Sequence, residues 1–221
     1  AGNAGLSTTD TANYTVDTAE PTVSISMADT ALKVGETTTV TFTFSEVVTG
    51  FAAADVTVAN GSITDPTSDD GGITYTATYT PTDNVTDTSN VITVDNTGVT
   101  DSAGNAGLST TDTANYTVDT VEPTVSISMA DTALKVGDTS TVTFTFSEEV
   151  SDFTSADVAV ANGSIGTITT SDNIVYTATY TPTDNVTDTL NIITVTNTGV
   201  TDLAGNAGLS TTDTANYTVD T

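Results

Sequence analysis

The chain has 221 residues, with 29 acids against 2 bases, no His, no Cys and a formal net charge of -27. Such a surface repels nucleic acid and anionic membranes and concentrates cations around itself. Without His or Cys there is no catalytic triad, thiol nucleophile, disulfide staple or zinc or copper centre of the usual kind, and no stretch approaches the roughly 20 apolar residues of a membrane-spanning helix.

The sequence repeats itself. AGNAGLSTTDTANYTVDT fills residues 1–18, 103–120 and 204–221, and its first two copies run into Glu-Pro-Thr-Val-Ser-Ile-Ser-Met at Glu20–Met27 and Glu122–Met129. Phe42 and Phe144 stand 102 positions apart, and the offset falls to 101 at Pro81 and Pro182 because the loop after Gly71-Gly72 loses one residue. A unit near a hundred residues exceeds a helical or leucine-rich solenoid repeat and suits one small domain. The predicted organisation is therefore residues 1–18 as the last loop and strand of a preceding repeat, 19–120 as a first full repeat and 121–221 as a second, within a longer exported protein. Thr11–Thr18, an orphan strand, is expected to extend as an arm or to pair with another molecule.

Within the first repeat, Val23, Ile25 and Met27 alternate with Thr22, Ser24 and Ser26, which predicts a strand with one buried and one wet face. After a polar turn at Asp29 and a Val34-Gly35 corner, Val40, Phe42 and Phe44 alternate with threonines as a second strand. Val56 and Val58 form a third, closed by Asn60-Gly61, a dipeptide suited to a type I′ hairpin. A short fourth strand surrounds Ile63; Ile73, Tyr75, Ala77 and Tyr79 make a fifth that stops at Pro81. Ile92 with Val94, and Ala114, Tyr116 and Val118, mark the sixth and seventh. The second repeat copies every element. Seven short strands per hundred residues with no helical period predict an all-β fold of tandem immunoglobulin-like seven-stranded β-sandwiches in a linear array.

Alternating strand direction then places the acids. The loops after the second, fourth and sixth strands crowd the end where the chain enters, beside the linker. In the first repeat this gathers Glu20, Glu46, Asp55, Asp101 and Asn105; in the second it gathers Glu122, Glu148, Asp157, Asp202 and Asn206, with Asp119 arriving from the strand above. Such a cluster repels itself unless a cation fills it. Calcium fits an all-oxygen inventory, since it takes six to eight carboxylate, amide and carbonyl oxygens. Gly104 is expected to let the Asp101–Asn105 turn aim carbonyls inward. Asp69–Gly72, Asp83, Asp87, Asp112 and their copies read better as turns or caps, and Lys33 and Lys135 as surface residues. No nucleotide-binding glycine pattern or Ser-x-x-Lys is present, and paired carboxylates without an aromatic platform do not make a glycosidase, so no enzyme is expected.

The combination Pro21-Thr-Val-Ser-Ile-Ser, Val40-Thr-Phe-Thr-Phe-Ser-Glu46, Gly50-Phe-x3-Asp55-Val and Asp101-x-Ala-Gly-Asn105 resembles the bacterial immunoglobulin-like repeats of giant calcium-dependent surface adhesins, of the repeats-in-toxin and biofilm-associated type. The resemblance covers essentially the whole chain. It implies a calcium-stiffened extender on the bacterial cell surface that projects a distal binding domain, with Glu46, Asp55, Asp101, Glu148, Asp157 and Asp202 and the linker acids Asp17 and Asp119 as ligands. Its partners would be neighbouring repeats and calcium ions, with no nucleic acid, membrane insertion or small-molecule substrate. The alternative is direct binding of ice or carbohydrate by the outward rows Thr39, Thr41, Thr43 and Thr74, Thr76, Thr78.

Overall fold

The computed structural model describes residues 12–221. The first repeat contains β1 (Val23–Met27), β2 (Ala31–Lys33), β3 (Thr38–Phe44), β4 (Val48–Thr49), β5 (Val56–Val58), β6 (Gly61–Ile63), β7 (Thr74–Pro81), β8 (Thr86–Asn90), β9 (Ile92–Asp95), β10 (Thr100–Asp101), β11 (Thr110–Asp112) and β12 (Tyr116–Asp119). One sheet has the order β1-β3-β7-β6, and opposite it stand β11-β9-β5 and β2-β12-β8. The second repeat copies this plan and adds a short strand at Thr169–Thr170. The fold is all-β, two tandem immunoglobulin-like sandwiches.

Alternation explains the layers. In β3 the inward Val40, Phe42 and Phe44 are buried while Thr39 and Thr43 face water. Phe51 meets Phe42, Phe44 and Tyr75 edge to face with ring centroids 5.0, 5.1 and 5.2 Å apart, the geometry that ring quadrupoles favour. Each such buried side chain stabilises the sandwich by about 1.5–3 kcal/mol. The Tyr79 and Tyr116 hydroxyls both donate to Ala59 O, so the two phenols are buried with their polar ends satisfied.

The seven predicted strands are present, and five more join them. Leu32 turns the Asp29–Lys33 stretch into β2, which runs parallel to β12 because the first strand crosses to the opposite sheet. Asp29 Oδ1 accepts the Ala31 N–H at 3.0 Å and fixes that crossing. β8 with β9, and β11 with β12, are halves of one hairpin. Its ladder is interrupted where Thr113 Oγ1 accepts the Ile92 N–H and Asn90 Nδ2 donates to Tyr116 O.

Asn60-Gly61 is not a type I′ hairpin. Asn60 has φ 48, but β5 and β6 belong to opposite sheets, so the dipeptide turns a corner. Gly61 is required by proximity instead: an added Cβ would lie 2.5 Å from the Tyr79 ring. Thr11 of the predicted arm, and residues 1–10 of the predicted preceding repeat, lie outside the described residues. Ala12–Thr18 has no strand partner among the described residues.

Candidate metal centre at the joint

The site begins with backbone pairing. In the second repeat the strand Val150–Ser151 pairs with Thr201–Asp202, so Asp202 stands opposite Val150, two residues after Glu148. Asp119 ends β12 and is the last strand residue before the second repeat begins. One carboxylate oxygen from each of Asp119, Glu148 and Asp202 falls within 4.8 Å of the others. β4 and β10 pair Val48 with Asp101 in the same way, and Asp17, Glu46 and Asp101 form the equivalent group at the first repeat's entry.

The loop after Asp202 holds its carboxylate from below. Oδ1 accepts the Asn206 N–H at 2.8 Å and Oδ2 accepts Asn206 Nδ2 at 2.7 Å. Gly205, at φ 89, supplies the left-handed turn that brings Asn206 back over the acid. In the first repeat Ala103 and Asn105 N–H groups bond to Asp101 Oδ1 at 2.9 and 2.8 Å. The turn therefore aims N–H groups, rather than the expected carbonyls, at the aspartate. The Asn105 side-chain amide first, and these N–H groups after it, hold the Asp101 carboxyl below its ordinary value.

Glu148 is pushed the other way. Loss of solvent raises its pKa first, and the charges of Asp202 and Asp119 raise it further. Glu46 is raised by the same causes, with Asp101 and Asp17 as its like-charged neighbours. Each group thus combines an aspartate held by its own loop's asparagine with a glutamate that resists ionisation. Three carboxylates converging without a bonded base suit a hard, oxygen-seeking cation and suit no soft metal.

Asn206 is the tie between the repeats. Its side chain is 0% exposed, Oδ1 accepts the Val34 N–H of the first repeat at 2.8 Å, and Nδ2 also donates to Asp119 O at 2.9 Å. Sequence reasoning named Asn206 and Asn105 as ligands; the structure gives the Asn206 amide oxygen to Val34. It missed Val34 and Lys33, whose Nζ would lie 3.2 Å from a Cβ on Gly205. The signal was there: a valine in each otherwise polar Lys-Val-Gly corner, and both bases of the chain at that corner.

Other expected ligands point elsewhere. Asp55 Oδ2 accepts the Ala52 N–H and Asp157 Oδ2 accepts the Thr154 N–H, each at 2.9 Å, so both carboxylates close 3₁₀ turns outside the carboxylate groups, and in the second turn the Thr154 hydroxyl caps in return. Glu20 is exposed and Glu122 half-buried, and neither joins a group. Asp70 and Asp172 anchor their loops through the backbone N–H groups of Thr74 and Val175, which lower both pKa values. Asp87 accepts Asn60 Nδ2 at 2.8 Å, and Asp112 accepts the Thr93 hydroxyl at 2.6 Å.

A family model described as "Bacterial Ig-like domain" matches residues 17–118 and again 119–219. Among solved structures, the chain is similar to FdeC, an Escherichia coli adhesin, at 19% identity and a TM-score of 0.46, covering 90% of this chain and 64% of that one. It is similar to the Yersinia pseudotuberculosis adhesin InvE at 15% identity and 0.34, covering 89% and 58%, and to the I9-I11 tandem of titin at 10% and 0.30, covering 90% and 65%. This chain therefore spans less than two thirds of each of those chains, and at these scores the likeness carries no argument about function. No curated protein matches the sequence.

Proposed function

We propose that this chain, which belongs to the bacterial Ig-like domain family, is an extender segment of a surface adhesin whose repeats are locked end to end by calcium. The observation that supports this reading most is the group Asp119, Glu148 and Asp202, drawn from both repeats and lying within 4.8 Å. Asp119 comes from the last strand of one sandwich and the other two from the next, so a shared ion would bridge them. A short linker leaves domains free to swivel, and a metal ligated from both sides removes that freedom. Eight-residue strands such as β7 span about 26 Å at roughly 3.3 Å per residue, so successive repeats would add up to a stalk.

Extracellular calcium modules bind with dissociation constants of about 0.1–1 mM, and at 10 to 100 times that level each site adds about 1.4–2.7 kcal/mol. At low calcium the same carboxylates repel one another. The proposal is a segment pliable inside the cell and stiff outside it. A calcium titration should raise the melting temperature and lengthen the particle seen by small-angle scattering; no change in either would remove the reading.

A second reading rests on the outer face of the β1-β3-β7-β6 sheet. Thr39, Thr41 and Thr43 stand opposite Thr78, Thr76 and Thr74, flanked by Ser24 and Ser26, and this grid carries no charge. Direct contact with ice or a neutral carbohydrate would use it, although high β-propensity alone also places threonine there. Thermal hysteresis or glycan binding by this chain would favour that reading over a spacer.

A further inference from the structure

Lys33 and Lys135 are the only basic side chains, and each is the last residue of its short strand, Ala31–Lys33 or Ala133–Lys135. Lys33 is the one that stands at the boundary between the two repeats. In the parallel pairing of β2 with β12 it lies beside Asp119, and Thr86 flanks Asp119 on the other side. Leu32 and Val118 are buried in the core, so alternation turns Lys33 and Asp119 together to the outer face, where the Thr86 hydroxyl donates to Asp119 Oδ1 at 2.9 Å. From there the lysine stem crosses to the next sandwich. A Cβ on Gly205 of the second repeat would lie 3.2 Å from Nζ and 3.7 Å from Cδ. Glycine at 205 thus leaves the room in which the ammonium reaches the loop Asp202–Asn206.

The ammonium is also held from its own side. Glu36 Oε2 accepts the Lys33 N–H at 3.1 Å, and the Glu36 N–H donates to Lys33 O at 3.2 Å. Glu36 Oε1 lies 3.9 Å from Nζ, the only ion pair among the described residues. A single exposed pair of this kind stabilises little. Its position gives it weight, because the ammonium lies between Glu36 and the loop that carries Asp202, in the row next to Asp119.

We propose that Lys33 is a built-in cation of the joint, a positioning residue whose charge draws the acids of the second repeat toward the first without metal and opposes a divalent ion at Asp119, Glu148 and Asp202. Both effects follow from one charge. It offsets part of the repulsion among the carboxylates, and it repels any cation that would offset the rest. The attraction rests on strand register and packing alone, whereas the opposition rests on the calcium reading above.

The test spin-labels the full chain at S24C/S126C, exposed positions on equivalent strands of the two repeats in a protein with no Cys of its own. Pulsed electron resonance then reads the spread of distances between the repeats. In chelator K33Q, which keeps most of the stem and loses the charge, should give a broader distribution than its parent at about 20 mM salt, and the two should coincide at about 500 mM, where screening removes the difference. In a calcium titration K33Q should reach its half-effect at about one third of the parent's calcium level, and K33R should restore both values. A K33Q chain as narrow as its parent in low-salt chelator, a difference that persists at high salt, a calcium midpoint that stays or rises, or a K33R chain that behaves like K33Q overturns the proposal. A parent that does not respond to calcium removes the calcium reading and leaves the chelator comparison to decide the role of Lys33.

Discussion

The entry ends of the two repeats carry matching side chains, Asp17, Glu46, Asp101 and Asn105 against Asp119, Glu148, Asp202 and Asn206, in different surroundings. Over the second lies the Val34 corner of the preceding sandwich; Asn206 is fully buried, whereas Asn105 is only partly so. Asp119 is half-buried at the end of a paired strand, and Asp17 is exposed on an unpaired one. Each repeat therefore carries the carboxylates and their asparagine in its own loops, and the neighbour supplies the cover. Burial matters because desolvation strengthens both the repulsion among acids and the attraction of a cation.

That contrast is sharpest at the asparagine. Asn206→Ala would leave the half-buried Val34 N–H and the buried Asp202 Oδ2 without their partner, and a loss of about 3 kcal/mol is expected in denaturant melts, against about 1 kcal/mol for Asn105→Ala. Equal losses would mean that the first repeat's cover adds nothing at the joint. Next in size is the ion. D202N should remove most of the calcium-induced gain of about 1.4–2.7 kcal/mol at the joint, while D101N leaves the joint's stiffening in scattering intact. If D101N abolished stiffening as fully as D202N, the ion would not be acting between the sandwiches.

The smallest effect is that of pH on the chain without calcium. Glu148 has its folded pKa raised from 4.5, so the folded state holds this proton more tightly than the unfolded chain, and stability falls as pH climbs through that raised value. Asp101, lowered from 3.8, acts in the opposite sense and loses its contribution as pH falls below that figure. Stability in chelator should peak in mildly acid solution. With calcium the optimum should move toward neutrality, because an ion replaces the proton on Glu148; melting curves from pH 4 to 8 in both buffers check this.

How much of this the residues announced depends on which physical signal each element carries. Val40, Phe42 and Phe44 announce a strand because alternation is a burial pattern. Thr86–Asn90 has no apolar residue, so β8 is invisible to periodicity and exists because β12 offers it a ladder. Strand direction was enough to bring Glu46 and Asp101 to one end. It said nothing about where each carboxylate points, which is why Asp55 was grouped with them although it caps its own turn. The Thr154-x-x-Asp157 spacing is a legible capping box and was the available warning. The Asn206 tie could not be foreseen from one repeat, since its acceptor role needs a backbone N–H 172 positions away.

In the proposed joint one ion holds two sandwiches. Crystals of the full chain grown in millimolar calcium, with diffraction collected at long wavelength, test it directly. An anomalous peak is expected about 2.3–2.6 Å from carboxylate oxygens of Asp119, Glu148 and Asp202 together. A map with no peak there, or with a peak bound by residues of a single repeat, would contradict it.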